Sequence, residues 1–257
     1  GRMLLREKWL RIHCQVLLGI ELTGFQIVWI TECGQMEEPG GEKFTGELMP
    51  VIFKGSFEDE AARFLEKYYP KALKETVPVP IRQIAESMGL TIIEKDLFSD
   101  GLDAFGVLFL EDGNIQDEKK NILIRNAKGG MMFIDPRHYY EQTLRKANEM
   151  IAHECFHWYR HRPYHLLMKM LGVRDDLGRV IRCAVDSGHG DTEKRSSFDW
   201  MEWQANSMVP YILMPAKTAT GKIEEMLREY HTGFADPRSG SQMEKLISEL
   251  AEFYGLS

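Results

Sequence analysis

His153-Glu154-Cys155-Phe156-His157 is the stretch from which the rest of this chain can be read. Four residues make just over one helical turn, so on a helix both imidazoles leave the same face with Cβ atoms ~5–6 Å apart. Two neutral imidazoles at that separation can take adjacent corners of a tetrahedral Zn²⁺ at ~2.0–2.1 Å. Glu154 sits ~100° round the helix, away from the imidazole pair but placed to receive a proton from a metal-activated water. With 8 histidines in 257 residues, random placement gives this spacing roughly 0.025 times per chain, so the motif is informative without being decisive.

The flanking residues support a helix. Asp135 can cap it, Pro136 suits its first turn, and Pro163 marks its expected limit. Leu144, Ala147, Ile151, Cys155 and Trp158 step by three or four and form one apolar stripe. The two histidines lie beside that stripe, where a cleft wall would be. The bland alternative is an amphipathic helix whose polar edge happens to carry two histidines.

A zinc site needs a third protein ligand and an open position for water. The HExxHxxGxxH pattern would place glycine at 160 and histidine at 163, but the residues there are Arg160 and Pro163, so that class is excluded. His161 is four residues beyond His157, yet on a straight helix it drifts a further ~40° away, which predicts a solvated side chain. In Asp199-Trp200-Met201-Glu202-Trp203-Gln204-Ala205-Asn206, Glu202 and Asn206 share a helical face. Glu202 could complete the metal shell while the Asn206 amide holds a ligand imidazole through its second nitrogen. Equally, Asp199-x-x-Glu202 has the spacing of a capping box.

Further out, helical spacing begins at Phe57-Glu58-Asp59-Glu60-Ala61-Ala62-Arg63-Phe64-Leu65, with acids complementing the first turn, and Pro70 ends it. Ile81–Met88 predicts a short helix capped by Gly89 and followed by a strand over Leu90–Ile93. Phe105–Leu110, Asn121–Arg125 and Met131–Ile134 predict strands, joined by turns such as Glu111-Asp112-Gly113-Asn114. Residues 172–195 predict loop, and 199–213 and 241–254 predict helices. Residues 1–57 form a separate strand-and-loop segment to which no role attaches, with strand-like runs at Ile27–Ile30 and Val51–Phe53. Gly1, in place of an initiator methionine, is set aside as a cloning remnant.

Hydrophobic residues at 44% and charged residues at 28% are the balance of a globular chain. The net charge of −7 argues against nucleic-acid binding by the whole surface. The apolar run Cys14–Ile30 is interrupted by Gln15, Glu21, Thr23 and Gln26, short of the ~18 continuous residues of a membrane span. Cys14, Cys33, Cys155 and Cys183 lie far apart, which predicts free thiols in the cytoplasm, with Cys155 and Cys183 as small buried hydrophobes.

HExxH followed by Glu202-Trp203-Gln204-Ala205-Asn206 and, downstream, Leu213-Met214-Pro215 resembles the ImmA/IrrE family of zinc metallo-endopeptidases, which pair HExxH with E-x-x-A-N and L-M-P. The resemblance spans roughly 57–257. It implies an α+β domain over 58–257: a small mixed sheet packed on the HExxH helix, further helices C-terminal, and a gluzincin-like, thermolysin-like core. It also implies zinc held by His153, His157 and Glu202, with Glu154 as base. In relatives, a stretch like Glu249–Ser257 leads into a further helix, so the helical end is expected to be truncated. The implied activity is cleavage of a specific protein, a helix-turn-helix repressor, switching on a mobile-element or stress response. A non-catalytic zinc-braced protein that sequesters a repressor is the alternative. Either would act on transcription through a protein partner.

Candidates for steadying the oxyanion are His161, Tyr164, His165, Arg182, His189, Tyr211 and His231, which sequence does not rank. Met131–Ile134 is either the sheet edge that holds an extended substrate or an ordinary internal strand. Trp200 and Trp203 are core packing or a pocket wall, and Met168, Met170 and Leu171 a packing patch.

Overall fold

The computed structural model describes residues 9–18, 22–33, 52, 54–97, 104–116, 122–135, 137–170, 180–184, 197–231 and 240–256. The chain divides into two compact units, one of Gly1–Met49 with Pro163–Asp175 and the other of Pro50–Arg162 with Asp176–Ser257. The first contains strands β1 (Trp9–Leu18) and β2 (Leu22–Cys33), an antiparallel pair with register shifts at His13/Cys14 and Leu17/Leu18. The apolar run within Cys14–Ile30 is thus two strands. Among the described residues, no helix is long and apolar enough to cross a membrane.

The second unit is α+β with a small mixed sheet. Its sheet runs in the order β3 (Thr91–Glu94), β7 (Met131–Ile134), β4 (Ala104–Phe109) and β8 (Val180–Ala184). The β3–β7 pair is parallel, and β7–β4 and β4–β8 are antiparallel. A separate antiparallel pair joins β5 (Gly113–Gln116) to β6 (Ile122–Ala127). Met131–Ile134 is therefore internal, with a partner on each side. Two of these strands escape sequence reading. β5 falls among turn-forming residues, and β8 sits in a charged stretch whose composition predicts loop.

Alternation along β4 and β7 sorts their side chains onto two faces. Val107, Phe109 and Phe133 enter a core cluster with Leu97, Ala104, Ile115, Ile124 and Ala127, and the Phe109 and Phe133 rings meet edge-on at 5.7 Å. The opposite face carries Gly106, Leu108, Met132 and Ile134, and Gly106 abuts Met150 and Glu154. Those two residues belong to helix α3 (Arg137–Phe156).

Helix α1 (Phe57–Tyr68) begins where its apolar spacing does. Its Phe64 is fully buried against Tyr68 and Tyr159, with ring centroids 5.1 and 5.3 Å away. Glu60 is more than a helix-end charge: it is buried, bonded to Arg63 at 2.8 Å and paired with Arg160 at 3.6 Å. Helix α2 (Ile81–Ser87) ends on Gly89, whose φ of 80° lets Leu90 N reach back to Ala85 O.

Pro163 does not end the long helix. After α3 the chain makes one π-helical turn, His157–His161, with Arg162 N donating to His157 O, and continues as α4 (Arg162–Met170). A proline can neither supply the next i→i−4 donor nor clear the carbonyl four residues back, and the widened turn falls in the residues just before it. Helix α5 (Ser197–Leu213) starts two residues before Asp199, so Asp199 lies inside the first turn and the Asp199–Glu202 capping-box reading fails. Helix α6 (Ala216–His231) forms where the sequence announces none, because Thr218, Thr220 and Gly221 weaken its helical signal. It packs on α7 (Gly240–Tyr254) through Ala219, Met226, Leu246, Leu250 and Tyr254. Helix α3 packs against β4, α2 and α5, and α5 in turn against α1.

Truncating Phe64 to alanine should cost about 3–5 kcal/mol in urea unfolding. Ile247→Ala, at a position 58% exposed, should stay within about 0.5 kcal/mol. Equal losses for the two would contradict this packing.

Candidate metal centre

The end of α3 and the first residue of the π turn are buried all round: Ile151, Ala152, His153, Glu154, Cys155, Phe156 and His157 are all buried. The expected stripe holds at Ala147, Ile151 and Cys155, but the histidine side of the helix is covered too. The cover is α5, which brings Glu202 against both rings.

Three side chains converge there. His157 Nε2 lies 2.9 Å from His153 Nε2, and Glu202 places Oε2 3.4 Å from His153 Nε2 and Oε1 3.2 Å from His157 Nε2. On its outer side His153 Nδ1 lies 3.0 Å from Asn206 Oδ1, so the Asn206 amide does touch one of the two imidazoles. Ligands ~2.0–2.1 Å from a tetrahedral ion are ~3.3 Å from one another, and the three separations bracket that edge. Glu202 Oε1 is buried with no hydrogen bond, and a coordinated cation is what such an atom lacks. The residues fit a metal ion, and His153, His157 and Glu202 could hold one.

Electrostatics point the same way. Burial works against charge on Glu202, but the imidazoles of His157 and His153 outweigh it and hold the carboxyl well below the usual carboxylate range. Burial also lowers both imidazoles; at His153 the Glu202 carboxylate overcomes it and the net shift is upward, whereas at His157 burial wins. The Glu202 carboxylate therefore makes the space between the two rings favourable to positive charge.

Glu154 packs against the sheet at Gly106. Both of its oxygens are buried without a hydrogen bond, and burial, with Glu202 adding to it against the opposing pull of His153, pushes its pKa up to about 8. A Cβ at position 106 would stand 3.0 Å from Met150 Sδ and 3.3 Å from Glu154 Oε1, so the glycine makes room for the acid. Cys155 is buried and its thiol is pushed well up by the same desolvation, which leaves it inert.

His161 contradicts its sequence reading. It is completely buried, with Nδ1 2.9 Å from His157 Nδ1 and Nε2 3.3 Å from Gln204 Oε1. The reason is the π turn, which spreads the helix and cancels the angular drift of a straight one. The signal in the sequence is Pro163. Of the remaining oxyanion candidates, Tyr211 packs edge-on against Phe57 at 5.5 Å, and Tyr164 and His165 belong to the other unit. His189 and the side chains of Arg182 and His231 lie outside the described residues, as do those of Cys183 and Met170 and all of Leu171. Trp203 packs on Phe57 at 5.6 Å, Trp200 is more exposed, and Met168 is buried.

In metal-free protein Glu154 stays protonated to about pH 8, against 4.5 for the unfolded chain. The unfolded state loses its proton first, so this group's contribution to stability falls as pH rises from about 4.5 to about 8 and then levels off. Glu154→Gln should therefore gain stability relative to wild type across that window in urea titrations with chelator present; a pH-independent difference would contradict the buried acid.

Compared with known proteins, the chain matches no family model, no curated protein and no solved structure.

Proposed function

We propose that this chain is a zinc-dependent endopeptidase with a zincin-type, thermolysin-like core, acting on a specific protein. The observation that carries the reading is the pairing of two features on one helix end. One is the convergence of His153, His157 and Glu202 Oε1/Oε2 within 2.9–3.4 Å. The other is Glu154, next in sequence to His153, fully buried and without a hydrogen-bond partner. A purely structural polar cluster leaves both Glu154 oxygens and Glu202 Oε1 without the partners that buried polar atoms ordinarily have.

When bound, zinc lowers the pKa of a water to ~7 and polarises a scissile carbonyl. Glu154 then acts as the base, taking the proton of the attacking water and handing it to the leaving amine. Asn206 holds His153 from behind, so that Nε2 faces inward. The motif resemblance to ImmA/IrrE peptidases supports a helix-turn-helix repressor as the target.

The test uses purified protein, metal analysis and a helix-turn-helix repressor followed by mass spectrometry. Wild type should carry about one equivalent of zinc, and Glu202→Ala below ~0.2. Glu154→Gln should keep the metal and lose ~10²-fold or more in cleavage. A Glu154→Gln protein that cuts at the wild-type rate would falsify the base. Equal action on the target by both proteins, with no cut products, would instead favour sequestration.

A further inference from the structure

Beyond the three ligand candidates, α3's continuation and α5 contribute a second line of polar atoms that the hydrolytic chemistry does not use: His157 Nδ1, His161 and Gln204. All of it is buried. We propose that His161 is a positioning residue: carried over His157 by the π turn and anchored by Gln204, it fixes the His157 tautomer so that Nε2 presents a bare lone pair to the metal. The inference rests on the reading of His153, His157 and Glu202 as metal ligands.

A neutral imidazole has one N–H and one lone pair, so each contact along the line dictates the next. Gln204 Oε1 only accepts, so His161 Nε2, 3.3 Å away, donates to it. His161 Nδ1 is then the lone pair, and His157 Nδ1, 2.9 Å away, must be the donor. That leaves His157 Nε2 bare, facing His153 Nε2 and Glu202. The Gln204 amide turned the other way would reverse every proton in the line and put a hydrogen where the metal belongs. Asn206 does the same service for His153 with one amide; His157 is served by a ring and an amide in series.

The first measurement needs no variant. Imidazole ¹⁵N shifts of the metal-free wild type should show His157 protonated at Nδ1 and not at Nε2. A proton on Nε2 overturns the proposal. The second measurement is zinc affinity by chelator competition. His161→Leu removes the acceptor and should weaken zinc ~10–100-fold. His161→Gln can accept from His157 and donate to Gln204, and should stay within ~3-fold of wild type. Leu and Gln variants that weaken zinc equally, or a Leu variant that binds as wild type does, overturn it. Wild type that binds no zinc removes the metal reading itself, and this inference with it.

Discussion

Two imidazole nitrogens and a carboxylate share a buried space, with separations of 2.9, 3.2 and 3.4 Å between them. Such a cluster costs stability unless positive charge lies among its members, because burial removes the water that would otherwise screen their lone pairs. The packing of α3 on α5 depends on meeting that condition, since each helix supplies part of the cluster. The surroundings are shaped accordingly. Asn206 and the His161–Gln204 pair meet the outer nitrogens, and Glu154 packs against the sheet at Gly106.

Much of this is legible in local sequence. The HExxH spacing places two rings on one face whatever the tertiary setting. Glu202 and Asn206, four apart, reach the same site because their own helix keeps them in phase. The strand at Met131–Ile134, the helices from Phe57 and Ile81, and the Gly89 terminus follow from period and turn chemistry. What stays hidden depends on long-range partners. β8 is a strand because β4 pairs with it, and no apolar alternation advertises that. Met131–Ile134 reads the same as an edge or an internal strand, and only the arrival of β3 and β4 makes it internal.

His161 is the instructive failure. Its expected direction holds only on a straight helix, and the helix is not straight. Pro163 sits just beyond a widened turn instead of terminating the helix, and an imidazole expected in water is buried against a ligand candidate. A proline two residues after a histidine therefore bears on which face that side chain takes, as well as on where the helix ends.

Gly106 has a further consequence for how this centre can diverge. No amino acid is smaller, so every replacement on that strand crowds the acid, and none gives it more freedom. The first atom such a replacement would meet is on Glu154's own helix: the Met150 sulfur stands 3.0 Å from where a Cβ at position 106 would be. The two positions are thereby coupled: bulk gained on the strand has to be surrendered by the helix.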